Sequence, residues 1–385
     1  MIAGCSRYSE KYADPRLRDA ALLKEGLIYY GEDPQDDDFD DMYYAFAAGE
    51  AEMVAASALA LDGFSNKVDQ LSRRDRRYLY DVFTDLADLA EMANYAYKDA
   101  PVAIPEGWED IGVHDPKVME IFDMNLVSGF VAGGLKCSLM AKGERKVLVF
   151  AGTDFPASWK SYEQVLGFIA DAYEDVYGAL NKDASQVKLA SEIVDELLAA
   201  GIVTKDKLEF AGHSLGGRLA SEMSVRYGCP AVVFNAAGVS PEIYQIYEDA
   251  RTAAGEQWRG YVLDVVSAND PLTCAQKYMS GQTDPFSTRF AKVMSSDKNT
   301  VDELVSLGLD LLGSIVNNVM GDTKVVSKVK QIRNEYGEVV EECIEEYYER
   351  DYRAIGAVMP VRENMAGHGI SDLAAALRER AQICY

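Results

Sequence analysis

Glu209–Ser221 reads EFAGHSLGGRLAS, a serine set between two glycines, after an apolar run and before a run of helix formers. Gly-x-Ser-x-Gly at a strand-to-helix junction describes a tight turn that lifts the serine hydroxyl clear of the chain. In such a turn the residues two before and two after the serine crowd each other, so glycine is favoured at 212 and 216. The hydroxyl of Ser214 would then stand at a helix N-terminus, whose dipole favours developing negative charge. A glycine-rich loop that merely contains a serine has the same five letters. What flanks the pattern separates the two.

Outward from this turn, strand-like and helix-like runs alternate. KLEFAG (207–212) leads in and LGGRLASEMSVRYG (215–228) leads out; then come PAVVFNAAG (230–238), a helical stretch, and GYVLDVVSANDP (260–271). The strand runs are almost continuously apolar, as strands buried on both faces require. Alternating strands and helices imply parallel pairing with helices on both sides of one sheet, an α/β fold. Upstream, LVSGFVAGGLKCSLMAKGERKVLVFAGTDF (126–155) holds two β-rich runs joined by a turn at AKGERK. A helical region is expected from about 159 to 200, broken near LNKDAS. Residues 1–100 read as a helical region, most clearly in SRRDRRYLYDVFTDLADLAEMANYAY, where Leu79, Val82, Phe83, Leu86 and Leu89 recur at helical spacing. Residues 101–385 then form the α/β domain, with an insert over about 275–360.

The composition narrows the partners. A formal charge of -25 over 385 residues argues against nucleic acid, which calls for clustered Lys and Arg, and against strongly anionic membrane. Six scattered cysteines form no CxxC pair, so neither a disulfide framework nor a zinc ribbon is expected. The acidic run GEDPQDDDFDD (31–41) lacks the turn glycine and closing Glu of a calcium loop and reads as solvated. No stretch is long and apolar enough to span a bilayer.

A serine hydroxyl needs a base beside it, and three histidines exist. His213 adjoins Ser214, so its ring is expected to point away and pack beside the turn. His114 precedes the serine, whereas hydrolases built on this turn run serine, acid, histidine along the chain. His368, in the glycine-flanked loop of NMAGHGISDLAAAL (364–377), is therefore the expected general base. Two acids compete in YVLDVVSANDPLT. Asp264 lies inside the apolar run, where an unpaired carboxylate is costly, and Asp270 lies after it, beside Pro271. Asp270 is the expected orienting acid. An oxyanion needs two fixed donors: the N–H of Leu215 supplies one, and Thr153, after the strand KVLVF and Gly152, can supply the other. This chemistry calls for no metal or organic cofactor.

The ordered set VLVFAGTDFPASW, FAGHSLGGRLAS, VVFNAAGV and NDPLT resembles class 3 lipases over about residues 90–280, and again near His368. The resemblance implies an α/β-hydrolase fold and carboxylester hydrolysis, with Thr153 as the oxyanion residue and Ser214, Asp270 and His368 as the triad. Two departures touch the oxyanion loop: Ala151 stands where Arg is frequent, and Ser158 where Asp is common.

The expected activity is thus hydrolysis of lipid acyl esters through an acyl-enzyme. A phospholipase A1 or lysophospholipase, including one acting as an antibacterial effector, is the alternative. A non-catalytic scaffold of the same fold is the rival from another class, but it has no physical reason to keep serine, acid and histidine in order. In the insert, ELVSLGLDLLGSIVNNVM (303–320) carries an apolar helical face, read as a core or dimer helix or as a lid that meets a lipid interface. KVKQIRNEYGEVVEECIEEYYERDYRAI is expected to be a charged amphipathic helix. As written the chain carries no export signal and reads as cytoplasmic; MIAGC resembles a lipoprotein cleavage box without its preceding region. Nothing in the pattern fixes an oligomeric state.

Overall fold

A computed structural model describes residues 18, 22, 63–98, 102–123, 135–152, 186–239, 241–254, 259–267, 270, 324–333, 339–349, 355–361 and 368–385. Nine strands are described: β1 Glu109–Asp110, β2 Cys137–Lys142, β3 Arg145–Phe150, β4 Leu208–His213, β5 Ala231–Phe234, β6 Val262–Ser267, β7 Lys324–Arg333, β8 Val339–Glu349 and β9 Ala357–Val361. Seven make one sheet in the order β1-β2-β3-β4-β5-β6-β9. β1, β2 and β3 pair antiparallel, and β3, β4, β5, β6 and β9 run parallel. The mixed, mostly parallel sheet flanked by helices is the α/β architecture that the alternation predicts.

Successive side chains of a strand point to opposite faces, and the core divides accordingly. Val147 and Val149 of β3 pack with helix α1 (Arg73–Tyr95) and the C-terminal helix (Ile370–Cys384). Leu148 and Phe150 join the other face, with α2 (Pro116–Phe122), α3 (residues 186–199), α4 (Leu215–Tyr227) and α5 (Pro241–Ala254). The C-terminal helix is α6. Helix α1 begins where Ser72 accepts a hydrogen bond from the Asp75 N–H at 3.2 Å, capping the first turn. All five of its periodic apolar residues are buried.

The α1 face also holds buried charge. Arg145 bonds Glu209 of β4 at 2.6 Å and also pairs with Asp85 of α1, while Arg18, fully buried, pairs with Asp85 and stands 3.7 Å from Glu209. Burial alone would raise the Asp85 pKa, but the guanidinium groups of Arg145 and Arg18 together hold it below the usual carboxylate range. Two carboxylates and two guanidiniums thus tie α1 to the starts of β3 and β4.

One expectation is overturned. The segment read as a charged amphipathic helix is instead an antiparallel hairpin, β7 paired with β8 as a separate two-stranded sheet, with a register shift near Ile332. In VVEECIEEYYE the apolar residues come as pairs every four positions, which draws a helical stripe but also gives each strand face one apolar residue per pair. The β-branched residues Val325, Val326, Val329, Ile332 and Ile344 decide for the strand. The 303–320 segment, the acidic run 31–41, the stretch 159–185 and most of residues 1–62 lie outside the described residues. Cys137, Cys229 and Cys384 are free and buried, and burial pushes their thiols up to about 12, 11 and 12.

Removing one partner of a buried ion pair strands the other charge. Glu209→Ala should therefore cost about 3–5 kcal/mol of folding stability, seen as a lower urea midpoint. An unchanged midpoint would mean that the cluster adds nothing to the fold.

Candidate active site

The four adjacent parallel strands β4, β5, β6 and β9 end along one edge of the sheet. Ser214 follows β4, Asp270 follows β6, and His368 lies between β9 and α6. Ser214 has φ 58° and ψ -125°, a conformation that costs a non-glycine residue about 1–3 kcal/mol. A Cβ on Gly212 would lie 2.2 Å from the Gly216 oxygen, and one on Gly216 would lie 2.3 Å from the Phe150 oxygen. The crowding foreseen between 212 and 216 is present, and β3 crowds the turn as well. The Ser214 N–H donates to Phe234 O at 3.1 Å, and Ser214 O accepts from the Ala237 N–H at 3.0 Å. Both bonds lash the turn to the end of β5.

Although Ser214 is the N-cap of α4, its side chain does not cap that helix. Its Oγ stands 3.0 Å from His368 Nε2, and His368 Nδ1 stands 2.7 Å from Asp270 Oδ1. A carboxylate accepts hydrogen bonds only, so Nδ1 carries the ring proton and Nε2 accepts from the serine hydroxyl. All three residues are buried, Asp270 completely. Asp270 is set by a turn in which its N–H donates to Ser267 O at 3.0 Å. The rejected alternative, Asp264, is buried inside β6 and accepts from the Ala236 N–H at 3.4 Å. His114 is exposed, just after the 3-10 turn Ile111–Val113.

Of the two oxyanion candidates, Leu215 opens α4, directly after the serine. Thr153 lies outside the described residues. Its neighbour Gly152 is described, and a Cβ there would come within 3.0 Å of the Ser214 Cβ, so the end of the β3 segment runs against the serine.

Two supporting residues, Asn235 and Tyr97, escaped the sequence reading, as did the hydrogen bonding of a third, His213. Asn235, at φ 44° after β5, accepts from the Ser267 N–H at 2.7 Å and locks the ends of β5 and β6 together. Asparagine tolerates that left-handed backbone and carries an acceptor, which is the signal NAAG held. His213 does pack beside the turn, as expected, but it is also bonded on both nitrogens. Its Nε2 lies 2.8 Å from the main-chain oxygen of His368, and its Nδ1 lies 2.6 Å from the Tyr97 hydroxyl. Burial first, and the nearby His368 second, hold the His213 pKa well below the usual histidine value. Tyr97, just past α1, offered no signal in the sequence apart from its place in a helical pattern.

Comparison with known proteins puts this chain among phospholipase-like proteins. More particularly, residues 88–329 match the Tle-like phospholipase domain, and the chain belongs to that family. The matched span contains Ser214 and Asp270 and ends before His368. The chain is also 38% identical over 154 residues to an extracellular phospholipase A1 of Serratia liquefaciens, a match over 40% of this chain and 42% of that protein. It thus covers less than half of that relative's length.

The His213 shift makes a pH prediction. The unfolded chain takes up this proton near pH 6.5 and the folded chain only at lower pH, so the unfolded state binds more protons in that window. Stability is therefore full above about pH 6.5 and falls as pH drops toward the depressed folded value. In His213→Gln, which does not titrate, urea midpoints should fall less steeply below pH 6.5 than in the native chain. Parallel curves would contradict the shift.

Proposed function

We propose that the protein is a serine carboxylester hydrolase of the α/β-hydrolase fold that removes an acyl chain from glycerophospholipids, in the manner of a phospholipase A1. The observation that carries the reading is the continuous hydrogen-bonded chain from Ser214 through His368 to Asp270, at 3.0 and 2.7 Å, on a strained turn. Membership of the Tle-like phospholipase domain family supports the substrate class, and the likeness to a phospholipase A1 supports the position of cleavage.

In this mechanism Ser214 Oγ attacks the ester carbonyl while His368 Nε2 takes the hydroxyl proton. Asp270 keeps the proton on Nδ1 and stabilises the imidazolium that forms. The oxyanion is met by the N–H of Leu215 at the start of α4, together with Thr153. Collapse breaks the carbonyl–oxygen bond, and the imidazolium protonates the departing lysophospholipid alkoxide. Water, deprotonated by the same histidine, then attacks the acyl-enzyme and releases fatty acid and free serine. The resemblance to class 3 lipases supports the same arrangement and makes triacylglycerol the competing substrate.

Fatty-acid release from phosphatidylcholine vesicles, beside triacylglycerol emulsions, tests the reading. Ser214→Ala should lower kcat by on the order of 10⁴-fold or more, and Asp270→Asn by about 10⁴-fold. Faster turnover of phosphatidylcholine than of triacylglycerol supports the phospholipase. Release that is unchanged in Ser214→Ala removes the serine from the mechanism.

A further inference from the structure

His368 is held by its main chain as well as by its ring, which also meets Ser214 Oγ at 3.0 Å. Its ring is fixed by Asp270, 98 positions away, and its main-chain carbonyl accepts a hydrogen bond from His213, 155 positions away. A carbonyl only accepts, so His213 carries its proton on Nε2, and Nδ1 is left to accept from the Tyr97 hydroxyl at 2.6 Å. Tyr97 is itself anchored. Its N–H donates to Asn94 O at 3.3 Å, and Lys136 donates to its carbonyl at 3.2 Å. The resulting strut runs from the end of α1, through the last residue of β4, to the loop that carries His368. The imidazoles of His213 and His368 lie with centroids 4.8 Å apart.

The strut is packed as well as bonded. A Cβ on Gly152 would lie 2.8 Å from the Tyr97 hydroxyl and 2.6 Å from the His213 oxygen. The hydroxyl therefore rests on the backbone that leads toward Thr153, so one tyrosine contacts the approach to the oxyanion loop and the histidine beside the nucleophile.

We infer that Tyr97 and His213 are positioning residues, which hold the main chain of His368 so that its ring stays in line between Asp270 and Ser214. This rests on the mechanism proposed above. A ring whose main chain is free to shift can move out of line with Asp270 and Ser214, and a misplacement of about 1 Å costs on the order of 100-fold in rate. Fixing the carbonyl holds the backbone point from which the ring projects. The tautomer matters too. With the tyrosine donating to Nδ1, the His213 proton is kept on the side facing the His368 carbonyl. A buried, neutral His213 also places no like charge beside the imidazolium that His368 becomes during acyl transfer.

The test compares His213→Leu, His213→Gln, Tyr97→Phe and the double variant His213→Leu with Tyr97→Phe, with Ser214→Ala as the blank. Phosphatidylcholine turnover is measured per active serine, titrated with a fluorophosphonate, so that misfolded protein drops out. His213→Leu should lower kcat about 10- to 100-fold with KM within about twofold. His213→Gln, whose amide keeps an N–H within reach of the carbonyl, should recover most of that loss. Tyr97→Phe, the mildest change, should lower kcat by about tenfold or less, and the double variant should lose no more than His213→Leu alone, because Tyr97 acts through His213. Unchanged kcat per active serine in His213→Leu, with only a lower melting temperature, would overturn the positioning role. So would losses that multiply in the double variant. If Ser214→Ala keeps full activity, the proposed mechanism itself fails, an outcome distinct from a strut that does not matter.

Discussion

Backbone packed directly against backbone at Gly212 and Gly216 is the constraint on which the site depends. With a Cβ excluded at 2.2 Å on one side and 2.3 Å on the other, β4, the start of α4 and the end of β3 can meet without side chains between them. Only that closeness permits the turn at Ser214, and the turn brings the hydroxyl to the edge of the sheet instead of leaving it to cap its own helix. The strained φ of 58° is held by bonds to Phe234 and Ala237 and by strands buried on both faces. The rigidity comes from the sheet, and the serine inherits it.

Sheet order then does the assembling. Parallel neighbours point their carboxyl ends the same way, and in open α/β sheets the crevice outside those ends is where ligands bind. Here β4, β5, β6 and β9 deliver Ser214, Asn235, Asp270 and His368 to that edge, from positions spread over more than 150 residues. Each contributes one small piece of geometry. The turn just past helix α1 adds Tyr97 from outside the sheet, and the buried charge of Arg145, Asp85 and Glu209 ties that helix to β3 and β4. The helix that braces the sheet therefore also reaches the site, and nothing in its own periodicity announces this.

How much of this was legible depended on the range of the forces involved. The turn at Ser214 is a local matter, written in five consecutive residues, and the preference for Asp270 over Asp264 followed from the cost of a carboxylate inside an apolar strand. His368 emerged because only three histidines exist and chain order excluded one that precedes the serine. Long-range contacts left no such mark. A tyrosine at 97 meeting a histidine at 213 depends on how α1 crosses the sheet, and no spacing encodes that. The β7–β8 hairpin is ambiguous in sequence for a different reason: apolar pairs four residues apart satisfy a helix and a strand alike, and the many glutamates fit a solvated helix. Its β-branched residues carried the better signal.

The central claim is that Ser214 is a nucleophile activated by the His368–Asp270 pair. The most direct measurement is intact-protein mass after reaction with a fluorophosphonate, followed by peptide mapping, on the native chain and on His368→Ala. The account predicts a single phosphonyl adduct on the peptide holding Ser214, formed far more slowly when His368 is gone. A folded protein that stays unlabelled, or an adduct on another serine, would contradict it.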